Sequence, residues 1–200
     1  MAMELAEALK VTLAVARALD DLGIPYYLGG SLASSLHGIP QSAQDAELVA
    51  DLKPEHLKRL SAALSATFYI DRGKAAAAVR RRTSFRLLHL QTFHEVELHV
   101  LRDDPLPHQA MARRQRLALP GIEVAVASPE DVILQKLHGL RLGDEISSLA
   151  WEDVQGILKV QRSGVDLHYL GQRAKEMRLE GLLQRALDEA GAARWLRPAQ

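Results

Sequence analysis

The chain contains no cysteine. Disulfides and thiolate zinc sites are therefore excluded, and a reducing, cytoplasmic setting is the expectation. Aromatic residues make up 4% of the sequence, too few for the stacking platforms on which proteins lay single-stranded nucleic acid. Charge of one sign is also missing: Lys+Arg is 25 and Asp+Glu is 25, for a net charge of zero. That balance gives no support to a general nucleic-acid or membrane-surface binder, although it permits a local basic patch. No apolar run reaches the roughly 18 residues of a membrane span, so no membrane partner is expected. The first segment, MAMELAEALKVTLAVARALDDLG, carries Glu4 and Glu7 early and is amphipathic, unlike a secretory signal. The eight histidines are scattered and read as surface or half-buried polar groups rather than one dedicated site.

What is present is a core: 48% of the 200 residues are hydrophobic, enough for one domain with a small appendage. Leu5, Leu9, Leu13, Ala16 and Leu19 recur at helical spacing, and Gly23 and Pro25 stop that helix. Tyr26–Leu28 reads as a strand, Gly29-Gly30 as a turn, and 31–36 as a short helix with Ser31 at its start. Strands are expected at 47–51, 67–70, 84–90, 95–101 and 122–127. Helices are expected at 54–64 and 107–116, the latter basic. Residues 74–82, KAAAAVRRR, fit either a helix or an irregular basic loop. Ser128-Pro129-Glu130-Asp131 is a strong helix start. Beyond it the pattern is helical only, at 129–142, 150–161, 166–176 and 179–190. Segregation of this kind predicts an α+β fold: a mixed sheet backed by helices over residues 1–127, then a helical C-terminal part over 128–200.

The acids carry the chemical signal. Side chains two apart on a strand share a face. Asp45 and Glu47 therefore project together, and so do Glu95 and Glu97. On neighbouring strands they would crowd one patch and repel unless a cation sits among them. Mg²⁺ suits such a set, because it takes a few carboxylates together with substrate phosphates. The plain alternative is the wet face of a half-exposed sheet. The turn Gly29-Gly30-Ser31 adds to the first reading, since backbone N–H groups at a helix start hold anions and glycine lets phosphate come close.

The order of these blocks resembles the nucleotidyltransferase superfamily, with its polymerase-β-like fold, and within it the bacterial minimal nucleotidyltransferases and AbiEii-type toxins. The matching residues are Gly29-Gly30-Ser31, Leu36-His37-Gly38-Ile39-Pro40, Asp45-Ala46-Glu47-Leu48-Val49 and Val96-Glu97-Leu98. Further on, 127–137 and Trp151-Glu152-Asp153-Val154 match two later helices. The resemblance spans about residues 5–190. It implies a nucleotidyltransferase-like mixed sheet with Asp45, Glu47 and Glu97 as catalytic and metal-binding acids. Mg²⁺ or Mn²⁺ would be the metal and an NTP the substrate. Gly29, Gly30, Ser31, Lys136 and Asp153 would line the nucleotide site, with Asp153 paired to Lys136 or Arg141. The acceptor hydroxyl would belong to RNA, a protein or a small molecule, and a cognate antitoxin or other protein partner is implied.

The chain departs from the family pattern at five places. Gln41 stands for Arg, Ala43 for Thr and Ala46 for a larger apolar residue; Glu47 and Glu97 stand for Asp. Each Glu displaces its carboxylate by roughly 1.5 Å. Two outcomes follow: a retuned or weakly active enzyme, or a nucleotide-binding or protein-interaction module of the same fold. Arg80, Arg81, Arg82, Arg86, Arg113, Arg114 and Arg116 read as an acceptor groove or as solvated base. Trp151 and Trp195 read as core or interface anchors. Ser31 with His37 lacks the acid that would make a nucleophile pair. His94 and His99 flank Glu97 without further zinc ligands in view.

Overall fold

The structure, a computed structural model, describes residues 2–40, 46–119, 121–143 and 148–191. Asp45, Gln41, Ala43 and Trp195 lie outside the described residues. The chain divides into two compact units: residues 1–32 with 42–127, and residues 33–41 with 128–200.

The first unit holds a seven-stranded sheet in the order β3-β4-β5-β2-β1-β7-β6. Its strands are β1 (Tyr26–Leu28), β2 (Ala46–Ala50), β3 (Phe68–Ile70), β4 (Ser84–His89), β5 (Glu95–Val100), β6 (Gln115–Leu119) and β7 (Ile122–Val126). The pairs β1–β7 and β2–β5 are parallel and the other pairs are antiparallel, so the sheet is mixed. Helices α1 (Ala2–Asp21), α3 (Pro54–Leu64), α4 (Arg72–Arg81) and α5 (Pro105–Arg113) pack on it. The class is α+β, as the segregation of strand and helix patterns predicts.

Alternation sets the two faces. Ala46, Leu48 and Ala50 of β2 are buried, and across the ladder they meet Val96, Leu98 and Val100 of β5, also buried. Phe85 and Leu87 of β4 continue that apolar face. Each Leu, Val and Phe of this face contributes about 1.5–3 kcal/mol when fully buried. A one-residue slip would turn the whole set to solvent, so burial pins the register. Glu47, Glu95, Glu97, Arg86 and Ser84 are then forced onto the opposite face together.

One sequence expectation is corrected here and one open alternative is resolved. The helix predicted over 107–116 ends at Arg113, and Gln115–Leu119 is a strand. The alternation of Leu117 and Leu119 with polar or small neighbours is a strand period. Gly121, at φ +81, supplies the left-handed residue that turns β6 back along β7. The ambiguous basic stretch is α4, capped by Asp71, whose side chain accepts from the Lys74 N–H. Its alanines explain the choice: Ala75, Ala78 and Val79 form a small buried stripe.

α2 (Gly30–His37) carries the chain from the first unit into the second. It begins at Gly30, so Ser31 lies inside the first turn rather than before it. The second unit contains α6 (Pro129–Leu142), α7 (Ser148–Gln161), α8 (Leu167–Glu176) and α9 (Glu180–Glu189). Ser128 caps α6 through the Asp131 N–H, with Pro129 in the first turn. Buried Asp131 also accepts from Ser128 Oγ at 2.8 Å and from Tyr169 Oη at 2.7 Å, tying α6 to α8. Trp151 Nε1 donates to Glu189 at 2.7 Å and Arg185 sits 4.7 Å over its ring, joining α7 to α9.

The block Leu36-His37-Gly38-Ile39-Pro40 belongs to this unit and crosses α7 closely. A Cβ on Gly38 would lie 2.6 Å from the backbone N of Ile157 and 2.8 Å from the carbonyl carbon of Gly156. Only glycine admits that approach. Buried His37 offers its carbonyl to Gln161 Nε2 at 2.7 Å. That signature is accounted for by packing.

Candidate active site

The sheet register brings two of the three predicted acids together. Glu47 on β2 stands directly opposite Glu97 on β5 in the parallel ladder. Directly paired residues share a face, and neighbouring strands are about 4.8 Å apart. Both side chains are partly exposed, on the face that the apolar residues leave to solvent. The third acid, Asp45, immediately precedes the described part of β2.

The glycine turn abuts the same carboxylates. Gly29 is buried and its N–H donates to the Glu47 carbonyl at 3.0 Å. Gly30 adopts φ +58, a left-handed conformation that side chains with a Cβ resist. A Cβ there would lie 2.6 Å from Glu47 Cδ and 2.8 and 3.0 Å from its two oxygens. The absent side chain of Gly30 is thus the room in which the Glu47 carboxylate sits. Ser31 follows in the first turn of α2.

Glu97 is held by a residue that the sequence did not single out. Ser84 Oγ on β4 donates to Glu97 Oε1 at 2.6 Å. The pairing of β4 with β5 that places it there is a tertiary fact, without a local sequence signal. His99, two residues along β5, lies 3.8 Å from Glu97 Oε2 through Nε2. Its partner His94 is not part of this contact.

Lys136 on α6 and Asp153 on α7 pair with each other in the second unit, Nζ to Oδ2 at 2.8 Å. Asp153 is buried and Lys136 nearly so. Arg141, the other partner considered, is not the one observed.

The seven arginines do not form one groove. Arg116 on β6 makes two bonds to Asp20, at 2.6 and 3.1 Å, and lies 5.9 Å over the Tyr26 ring. Tyr26 Oη donates to the same Asp20 at 2.7 Å. Burial pushes the Asp20 carboxyl up, but the bonds from Arg116 and Tyr26 and the guanidinium charge outweigh it and hold it below the usual range. Burial and then Asp20 push the Tyr26 hydroxyl well up. Arg114 donates to the Met111 carbonyl, and Arg82 bonds the Leu101 carbonyl and Asp103. Arg81 and Arg86 alone line a cavity beside Glu97.

The donors at Glu47 and Glu97 are carboxylate oxygens, hard ligands of the kind a small divalent cation takes alongside phosphates. Among the described residues no three His, Cys, Asp or Glu groups converge on one point. Two carboxylates on one face suit a small hard cation that takes its other ligands from substrate and water.

No family model matches the chain, and no curated protein matches it. Solved structures do. A nucleotidyltransferase-like antigenic protein from Paracoccidioides brasiliensis is similar over 92% of each chain, at 19% identity and a TM-score of 0.55. The antibiotic-resistance factor ANT(2'')-Ia is similar over 97% of this chain and 100% of its own, at 12% identity and a TM-score of 0.54. The chain has the nucleotidyltransferase-like fold. No described helix is long and apolar enough to cross a membrane.

Proposed function

We propose that the chain is a nucleotidyltransferase that moves an NMP from an NTP to an acceptor hydroxyl. The observation that supports this best is the Gly30–Glu47–Glu97 arrangement. A left-handed glycine makes room for one acid, and a parallel register sets a second acid opposite it. A wet sheet face has no use for the first of these.

Glu47 and Glu97, with Asp45, are the residues that would hold Mg²⁺ or Mn²⁺. The ion would supply charge neutralisation for the attacking and leaving oxygens. The turn at Gly29, Gly30 and Ser31 lies at the start of α2, where the helix N-terminus attracts phosphate and the glycines let it come close. Glu97, oriented by the Ser84 hydroxyl, takes the proton from the acceptor hydroxyl. The acceptor oxygen then bonds to the α-phosphorus, the α–β bridging P–O bond breaks, and pyrophosphate leaves with that electron pair. The resemblance also assigns Lys136 and Asp153 to the nucleotide, and that role enters on sequence grounds.

The test is transfer of label from each α-³²P NTP, with Mg²⁺ or Mn²⁺, to small-molecule, RNA and protein fractions of a cell extract. Transfer that is lost in Glu47→Gln and Glu97→Gln supports the enzyme. NTP binding without transfer to any fraction would leave the non-catalytic module, a reading that the longer reach of Glu97 favours. Absence of NTP binding sinks both. A cytoplasmic setting and a protein partner such as an antitoxin remain proposals of the resemblance, tested by fractionation and by co-purification with the neighbouring gene product.

A further inference from the structure

A cavity of about 660 Å³ opens between α4 and the polar face of β4 and β5, and Glu97 is in its wall. Its volume falls in the range of small-molecule sites, about 300–1,000 Å³. It also holds Tyr69, Asp71, Lys74, Ala77, Arg81 and Arg86 among its lining residues.

The charges sort into spent and unspent. Arg86 pairs with Glu95 at 3.0 Å. Asp71 is occupied at the N-terminus of α4, where its carboxylate accepts the Lys74 N–H at 3.0 Å. Glu97 accepts from Ser84. Lys74 and Arg81 have no carboxylate at ion-pair distance among the described residues. They stand seven residues apart on α4, hence on one face and about 10.5 Å apart along its axis. Between them Ala77 and Ala78 keep that wall low. Tyr69, 59% exposed, adds one aromatic surface. A cationic pair at one wall, a small apolar floor and a held carboxylate at the other suit a compact anion with hydroxyl groups. A strand of RNA asks for successive stacking surfaces, and of the two aromatic residues that line the cavity Phe85 is buried, which leaves Tyr69.

We infer that this cavity binds the acceptor, and that the acceptor is a small hydroxyl-bearing organic anion, a phosphate or carboxylate, whose charge is held by Lys74 and Arg81. Only the fate of its hydroxyl at Glu97 rests on the proposed transferase activity. The anion site stands or falls separately.

The test uses calorimetric titration of the full chain, without nucleotide, with ribose 5-phosphate, gluconate and neutral ribose. One or both anions bind with Kd below about 1 mM, and ribose binds at least tenfold more weakly. Lys74→Ala and Arg81→Ala each weaken the anion at least tenfold. Arg59→Ala, an exposed cation on α3, leaves it unchanged. The two anions separate phosphate from carboxylate recognition. Both substitutions fall on exposed positions and leave the melting temperature near wild type, which thermal unfolding checks. Binding of neither anion, binding in the two variants equal to that of wild type, or binding of transfer RNA but of neither small anion overturns the assignment. So does loss of Mg²⁺-dependent NTP binding in Lys74→Ala, since the cavity would then hold nucleotide. Wild type that binds anion but no NTP refutes the transferase reading and leaves the anion site in place.

Discussion

Gly30→Ala separates the cost of a strained backbone from the displacement of a functional carboxylate. Gly30 sits at φ +58. Placing a Cβ in that left-handed conformation costs about 1–2 kcal/mol. The new methyl would also lie 2.6 Å from Glu47 Cδ, and ordinary contact begins at 3.4 Å. The Glu47 carboxylate is the far end of a flexible side chain, so it moves and the backbone stays. Its retreat of about 0.8 Å is close to the 1 Å misplacement that can lower a rate about 10²-fold. Stability should therefore fall by the backbone term alone, about 2–8 °C in melting temperature for a chain of this length. Mg²⁺-dependent NTP binding should fall far more. Ligand at 100 times the wild-type Kd stabilises by about 2.7 kcal/mol, but by only about 0.4 kcal/mol after a hundredfold loss of affinity. Thermal unfolding with and without Mg²⁺ and NTP reads both quantities. The double variant Gly30→Ala/Glu47→Ala checks the partition, because its backbone penalty should match that of the single variant to within about 0.5 kcal/mol. A Gly30→Ala protein with the full ligand-induced shift would refute the role given to this turn.

Gly38→Ala should behave differently, because the atoms that its Cβ would meet at 2.6 and 2.8 Å are backbone of α7. Nothing there can swing away, so the loss should reach the upper part of the about 1–3 kcal/mol typical of overpacking; unchanged urea unfolding would contradict the packing role. Asp153→Ala removes the 2.8 Å ion-pair partner of the nearly buried Lys136 and should cost about 3 kcal/mol. The double variant Lys136→Met/Asp153→Leu should recover most of that in the same denaturation assay. Arg116→Ala removes the doubly bonded partner of Asp20 and should cost about 1 kcal/mol at pH 7. The Asp20 carboxyl is held below its usual range in the folded chain. Its stabilisation is thus complete above the unfolded value near 3.9 and is lost as pH falls through the lower folded value. The gap between wild type and Arg116→Ala should narrow toward zero below about pH 3, and a gap that stays constant from pH 7 to pH 3 would rule out this ion pair as its source.

Local chemistry made most elements legible. Period-two alternation marks β2 and β5, Ser128-Pro129 starts α6, and Gly29-Gly30 interrupts the chain where strand gives way to helix. The same-face pairing of acids follows from the strand period alone. β6 was obscured because Arg113, Arg114 and Arg116 together fit the basic end of a helix, although only Arg116 lies in the strand that pairs with β7. The two readings of the arginines from Arg80 to Arg116, acceptor groove or solvated base, stay open in the sequence for a related reason. A run of like residues says nothing of which partners the fold brings up, and Asp20, Met111, Leu101 and Asp103 took up three of the seven arginines, Arg116, Arg114 and Arg82, between them.

The residue order alone determined which acids and glycines could act, because side-chain type and strand or helix period are local properties. Only the folded chain decided that Glu47 faces Glu97, that Ser84 holds the latter, and that Lys74 and Arg81 are left with unspent charge beside it. Those facts depend on strand order and register. Both are chosen by burying the apolar face of the whole sheet at once, and no short stretch of sequence carries that choice.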